Sequence, residues 1–112
     1  MAEILLILLL GCAATKIVGG PIPLNSLNDG VYEGKAKDGP VRVLAIVTIQ
    51  NQRITNIKLL EHRTWKGAAA EKVIPERIID EQSTKVDAVS GATLSSSVIM
   101  NAVEDAVQKA SK

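Results

Sequence analysis

The stretch Val41 to Glu61, VRVLAIVTIQNQRITNIKLLE, decides the fold. Its first part, Val41 to Ile49, is dense in β-branched residues, which suit a pleated and half-buried surface better than a helix. Gln50-Asn51-Gln52-Arg53 then supplies a polar hairpin connection. Ile54 to Glu61 comes next as a second strand, with Ile54, Ile57 and Leu59 available to a core face. Two long antiparallel strands are therefore expected side by side.

Outward from this pair the punctuation continues. Asn28-Asp29-Gly30 opens a shorter strand over Val31 to Ala36, and Lys37-Asp38-Gly39-Pro40 is a turn that joins it to Val41. After Thr64 the period changes. Ala68 to Ile74 is helix-like, and Pro75 can occupy the first turn of a second short helix to which Ile78 and Ile79 lend apolar contacts. Val86 to Ser90 reads as a short extended piece. In the last segment Val98, Ala102, Val103, Ala106, Val107 and Ala110 recur at helical spacing, and the apolar stripe they form needs a sheet to lie on. The expected class is α+β: a small antiparallel sheet packed by a C-terminal helix and one or two short helices.

Composition narrows the function classes. Thirteen basic and twelve acidic residues leave a net charge of +1 and are interleaved, so the chain lacks the basic stripe of a nucleic-acid binder. Tyr32 and Trp65 are the only large rings, which removes base-stacking platforms and leaves the core to Ile, Val, Leu and Ala. One cysteine, Cys12, can form neither an internal disulfide nor a zinc site. His62, the single histidine, has no cysteine or second histidine near it, and no metal site is expected. A solvent-facing histidine at a strand end is its ordinary reading, and contact with a ligand is the alternative. Dinucleotide, P-loop, zinc-protease and serine-hydrolase motifs are all absent.

The front of the chain divides from the rest. Ile4 to Leu10 is an apolar run of seven, far short of the roughly 20 residues of a membrane-spanning helix. Leu9-Leu10-Gly11-Cys12 resembles the bacterial lipobox, in which the cysteine is lipidated, although Glu3 stands where a signal peptide carries basic residues. The resemblance implies a membrane-anchored, extracytoplasmic lipoprotein. Residues 1–12 are then a leader, 13–28, with Gly19-Gly20-Pro21 and Pro23, a linker, and 29–112 the domain.

Directly before the C-terminal helix stands VDAVSGATLSSS, Val86 to Ser97. A Ser-Gly-Ala-Thr turn there brings a backbone open to close approach at Gly91. It also brings hydroxyls at Ser90, Thr93, Ser95 and Ser96, and unpaired amides at a helix N-terminus. Such a place can hold a phosphate, the helix dipole adding ~0.3–1 kcal/mol for an anion. A plain helix cap, worth ~0.5–2 kcal/mol, is the competing reading. It needs only one of these hydroxyls, and no Glu or Gln three residues after Thr93 or Ser95 completes a capping box.

These residues resemble the FMN-binding domain family, found in flavin-carrying subunits of ion-pumping NADH and ferredoxin oxidoreductases and in small extracytoplasmic bacterial proteins. The family signature Asp-x-x-Ser-Gly-Ala-Thr-x-Ser/Thr-Ser is matched in register by Asp87, Ser90, Gly91, Ala92, Thr93, Ser95 and Ser96. The likeness extends upstream through Ile74 to Ser83 and downstream through Ala102 to Ala106. It implies FMN joined through its phosphate to Thr93 by a separate flavin transferase that uses FAD and magnesium. Asp87, Ser90, Gly91 and Ala92 would form the recognised sequence and afterwards hold the phosphate. No positioned base that could activate the Thr93 hydroxyl is evident in the chain, which agrees with activation from outside; His62 or Asp87 as an internal base is the alternative.

Relatives carry a His-x-Glu-Thr-Pro-Gly-like segment beside the flavin. This chain has His62-Arg63-Thr64-Trp65-Lys66-Gly67, so Thr64 and Gly67 match while the glutamate and proline do not. Trp65 and His62 are candidate ring contacts, with an apolar plug the equal alternative for the tryptophan. Arg63 or Lys66 near the flavin would favour its reduced, anionic form. The implied function is an electron carrier rather than an enzyme, exchanging electrons with membrane redox proteins. The alternative is a non-redox lipoprotein whose loop binds an anion or FMN reversibly, or only caps the helix.

Overall fold

The computed structural model describes residues 16–23, 25–63 and 67–112. Three strands, β1 (Gly30–Asp38), β2 (Val41–Gln50) and β3 (Arg53–Arg63), form an antiparallel meander with β2 in the centre. Two helices come after them, α1 (Ala70–Glu81) and α2 (Thr93–Lys109), and both pack against the sheet and each other. The α+β arrangement expected from the sequence is the one observed.

In β2 the side chains alternate strictly. Val41, Val43, Ala45, Val47 and Ile49 are buried beneath the helices, while Arg42, Leu44, Ile46, Thr48 and Gln50 face the other way. Strand β3 does not alternate strictly. Its pairing with β2 skips Thr55, between the pairs Ile49↔Ile54 and Thr48↔Asn56, and skips Leu60, between Ala45↔Leu59 and Leu44↔Glu61. Each skipped residue is a bulge that resets which face the next residues of β3 occupy. Ile54, Ile57, Leu59 and His62 consequently all lie opposite inward-facing residues of β2, at spacings of three, two and three.

The hairpin turns use left-handed backbone. Gly39 has φ 56° between β1 and β2, and Asn51 and Gln52 have φ 53° and 65° between β2 and β3. Two successive positive φ values suit the right-handed twist of a two-residue hairpin. Gln52 is an unusual residue there, and its side chain is engaged: the amide accepts from the Leu27 N–H at 2.8 Å and donates to the Leu27 carbonyl at 2.6 Å.

Helix α2 reaches the sheet closely because both sides are small. A Cβ on Gly34 of β1 would stand 2.0 Å from the Ala102 carbonyl oxygen and 2.6 Å from the Ala106 nitrogen. The edge of β1 is tied to the same helix, with the Lys35 N–H donating to Asp105 and the Lys109 ammonium donating to the Glu33 carbonyl.

Helix α1 is one element where the sequence suggested a break. It runs through Pro75, which is buried, so the Glu71 carbonyl lacks the N–H it would otherwise receive and apolar contact with the core offsets the loss. The helix ends at Gln82 with φ 50°. The Gln82 amide pairs with both the N–H and the carbonyl of Ile54, at 2.8 and 2.9 Å, as a neighbouring strand would.

Residues whose composition reads as a linker lie against the domain from Lys16 onward. Asn101 bonds Val18 and Lys16, Thr84 bonds Gly20 through main chain and hydroxyl, and Ile22 N–H donates to the Gln82 carbonyl. Leu27, 1% exposed, belongs to the hydrophobic core. The lipobox-like leader with Cys12 falls outside the described residues, as do Thr64, Trp65 and Lys66. No described helix is long and apolar enough to cross a membrane.

Candidate functional site

The Ser90-Gly91-Ala92-Thr93 segment is a tight turn leading directly into α2. The Ala92 N–H donates to the Val89 carbonyl at 2.9 Å, and Gly91, third in that turn, has φ 83°. An added Cβ at Gly91 would meet nothing within 4 Å. Glycine is therefore demanded there by its backbone angle and not by crowding.

The hydroxyls divide into two groups. Ser90 and Thr93 are exposed, whereas Ser95 is 2% exposed and Ser96 fully buried. Ser96 closes the turn from inside: its hydroxyl accepts from the Val89 N–H at 3.0 Å and donates to the Ala92 carbonyl at 2.7 Å. Ser95 Oγ lies 3.0 Å from Nε2 of His62. Ser97 is buried as well, at 5% exposed; Ser96 holds the turn, Ser95 reaches His62, and Thr93 is exposed.

Helix α2 starts without a side-chain cap. Ala92 occupies the capping position, no side-chain hydrogen bond is made from it, and the first turn carries no acidic residue. At this end of the helix the Ser96 N–H donates to the Ala92 carbonyl at 2.9 Å. The capping reading of the serines and threonine is thus corrected: an alanine stands where the hydroxyl would have to be. What remains is a helix N-terminus with positive dipole potential, no competing carboxylate in its first turn and an exposed hydroxyl as its first residue, and these features fit a phosphate group.

Asp87 is exposed, and its carbonyl accepts from Nη1 of Arg77 at 2.8 Å. The Arg77 guanidinium on α1 therefore anchors the main chain leading to the turn. Gly67 is buried, and its carbonyl accepts from Ala70 N–H at the start of α1.

His62 is not solvent-facing. Its side chain is 0% exposed, because the bulge at Leu60 turns it to the core face opposite Val43. On its other side Nδ1 is 3.9 Å from Oε2 of Glu71, too far for a hydrogen bond. Neither Arg77 nor Glu71 stands out in the sequence. Each reaches the site from α1 across a gap of nine or more residues, and no local pattern marks them. Among the described residues no group of three or more His, Cys, Asp or Glu side chains converges.

Comparison with known proteins bears on this geometry. Residues 37–108 match the profile of the FMN-binding domain. The chain is 34% identical over 92 residues to a protein named NADH:acrylate oxidoreductase from Vibrio harveyi, covering 80% of this chain and 9% of that protein. It is 35% identical over 85 residues to an uncharacterized protein of Treponema pallidum (strain Nichols), covering 74% of this chain and 24% of the other. The matched region thus spans about a tenth to a quarter of the length of these relatives.

Proposed function

Since the chain belongs to the FMN-binding domain family, we propose that it carries electrons through FMN esterified by its phosphate to the hydroxyl of Thr93. A flavin-binding, electron-transfer role is supported by the family and by the similarity to a protein named NADH:acrylate oxidoreductase. The covalent link is the finer step. The observation that carries it is the position of Thr93: exposed, first in α2, at an uncapped helix N-terminus whose inner side is held by buried serines.

In this reading a flavin transferase supplies the activation of the Thr93 hydroxyl. The Thr93 oxygen forms a bond to phosphorus, the pyrophosphate bond of FAD breaks, AMP leaves with magnesium balancing its charge, and the hydroxyl proton passes to a base on the transferase. Gly91 keeps the backbone clear for the approaching phosphate, and the N-terminus of α2 receives it. Asp87 and Ser90, both exposed, are available for recognition by the transferase. The bound isoalloxazine would accept and return electrons; the protein's part is to hold the phosphate end. The domain then serves as a carrier between membrane redox proteins. It is extracytoplasmic in this reading, held at the membrane by lipid on Cys12.

Intact mass after co-expression with a flavin transferase tests the link. A gain of FMN less one water, absent in Thr93→Val and without the transferase, supports it. An unchanged mass under conditions that flavinylate another family member would leave reversible anion or FMN binding at the turn. Globomycin-sensitive processing in cells tests the anchor, and a wholly unprocessed product rejects it.

A further inference from the structure

His62 joins three elements. It sits near the end of β3, its Nε2 is 3.0 Å from Ser95 in the first turn of α2, and its Nδ1 faces Glu71 in the first turn of α1 at 3.9 Å. The imidazole is wholly buried, and among the described residues Nδ1 has no hydrogen-bond partner. A buried polar atom left unpaired costs ~1–3 kcal/mol, which an apolar side chain of similar volume would avoid. Stability alone therefore does not account for a histidine here.

The first turn of α2 supplies the other half of the argument. With alanine at the capping position and no side-chain cap, a helix end of this kind frays unless something else holds it. Two buried hydroxyls hold it from the inside. Ser96 closes on the turn itself, and Ser95 reaches across to the sheet through His62. Thr93, two residues before Ser95, faces solvent from the same turn.

We propose that His62 is a positioning residue for Thr93: through Ser95 it clamps the first turn of α2 to the end of β3, presetting the Thr93 hydroxyl toward the incoming phosphoryl group. Glu71, half-exposed on the far side of the ring, is 3.9 Å from Nδ1 and makes no hydrogen bond to it, so the clamp runs through Nε2 alone. The proposal rests on the reading of Thr93 as the FMN acceptor. Orientation enters the rate of the transfer step, where a displacement of about 1 Å can cost ~100-fold. The clamp should accordingly act on kcat more than on KM.

The test uses the whole chain with His62→Gln, whose amide can reach the place of Nε2, His62→Leu, which keeps volume without the bond, Ser95→Ala, and the double variant His62→Leu/Ser95→Ala. Two quantities are read: amide exchange at Ser96 relative to Val103 before flavin transfer, and kcat and KM for transfer from FAD with magnesium. His62→Leu and Ser95→Ala are each expected to speed exchange at Ser96 about 10-fold relative to Val103 and to lower kcat by ~10- to 100-fold with KM little changed. His62→Gln should restore both, and the double variant should be no worse than either single one. Wild-type kcat and exchange in His62→Leu, or exchange rising uniformly along α2, would overturn the proposal. If His62→Leu does not fold, Ser95→Ala decides by the same readings. A wild-type chain that gains no FMN removes the acceptor reading and the positioning role together, whereas a flavinylated wild type with unimpaired variants removes the positioning role alone.

Discussion

At the scale of single residues, the turn before α2 separates what must be glycine or serine from what presents chemistry. Gly91 holds φ 83°, a region costly for a residue with a Cβ, while the space around it is open. Gly91→Ala should therefore destabilise through backbone strain alone, by about 1 kcal/mol, visible as a lowered urea midpoint with an unchanged slope. Ser96 is different because it serves two main-chain groups at once. Ser96→Ala leaves the Val89 N–H without its acceptor, and a loss of ~1–3 kcal/mol is expected from the same titration. A Ser96→Ala protein as stable as the wild type would show that water replaces the hydroxyl. The motif Ser-Gly-Ala-Thr is legible in the chain as a ligand turn, and Thr93 as one of its hydroxyls. That Ser95, Ser96 and Ser97 are buried is not, since the serines of this stretch look alike until a core lies beneath three of them.

At the scale of elements, three of the devices that fasten sheet and helices together can be tested separately. Gly34 admits the backbone of α2 at Ala102 and Ala106, so Gly34→Val must push the helix away from β1. A cost of ~1–3 kcal/mol is expected for such overpacking, with the near-wild-type far-ultraviolet circular dichroism of a chain whose elements still form. Gln82 ends α1 and pairs with Ile54 as a strand would. In Gln82→Ala the edge of β3 loses that pairing, and faster amide exchange at Ile54 than at Val47 is the expected result. The third device is the contact of His62 with Ser95, which joins β3 to α2. The strands of the meander can be read from β-branched density and turn chemistry. The two bulges in β3 cannot, because whether Thr55 and Leu60 are paired or skipped depends on the register of the neighbouring strand. This is why His62, read as an outward strand-end residue, lies inside. The single helix through Pro75 is hidden for a related reason. Proline discourages a helix locally, and the burial of Pro75 on folding offsets the missing donor.

At the scale of the whole molecule, the segment 16–28 is bound to the domain at both ends, from Asn101 and Thr84 to the C-terminal end of α2. Asn28 N–H donates to the Ala110 carbonyl and Lys112 N–H to the Ser26 carbonyl. Leu27 contributes a fully buried side chain to the core of a small domain. Leu27→Ala should cost about 2–5 kcal/mol, measured by thermal or urea unfolding, whereas the same change in a freely moving linker would have no effect. The class of the fold, the strands of the meander, the C-terminal helix and the turn suited to a phosphate are all written locally in the chain. Each lies in the period of apolar residues, in turn chemistry or in a contiguous motif. Which hydroxyls face inward, the approach of Arg77 and Glu71 to the site, the burial of His62 and the packing of a glycine- and proline-rich segment onto the body emerge only on folding. Those depend on register and packing between residues far apart in the chain, which no window of sequence contains.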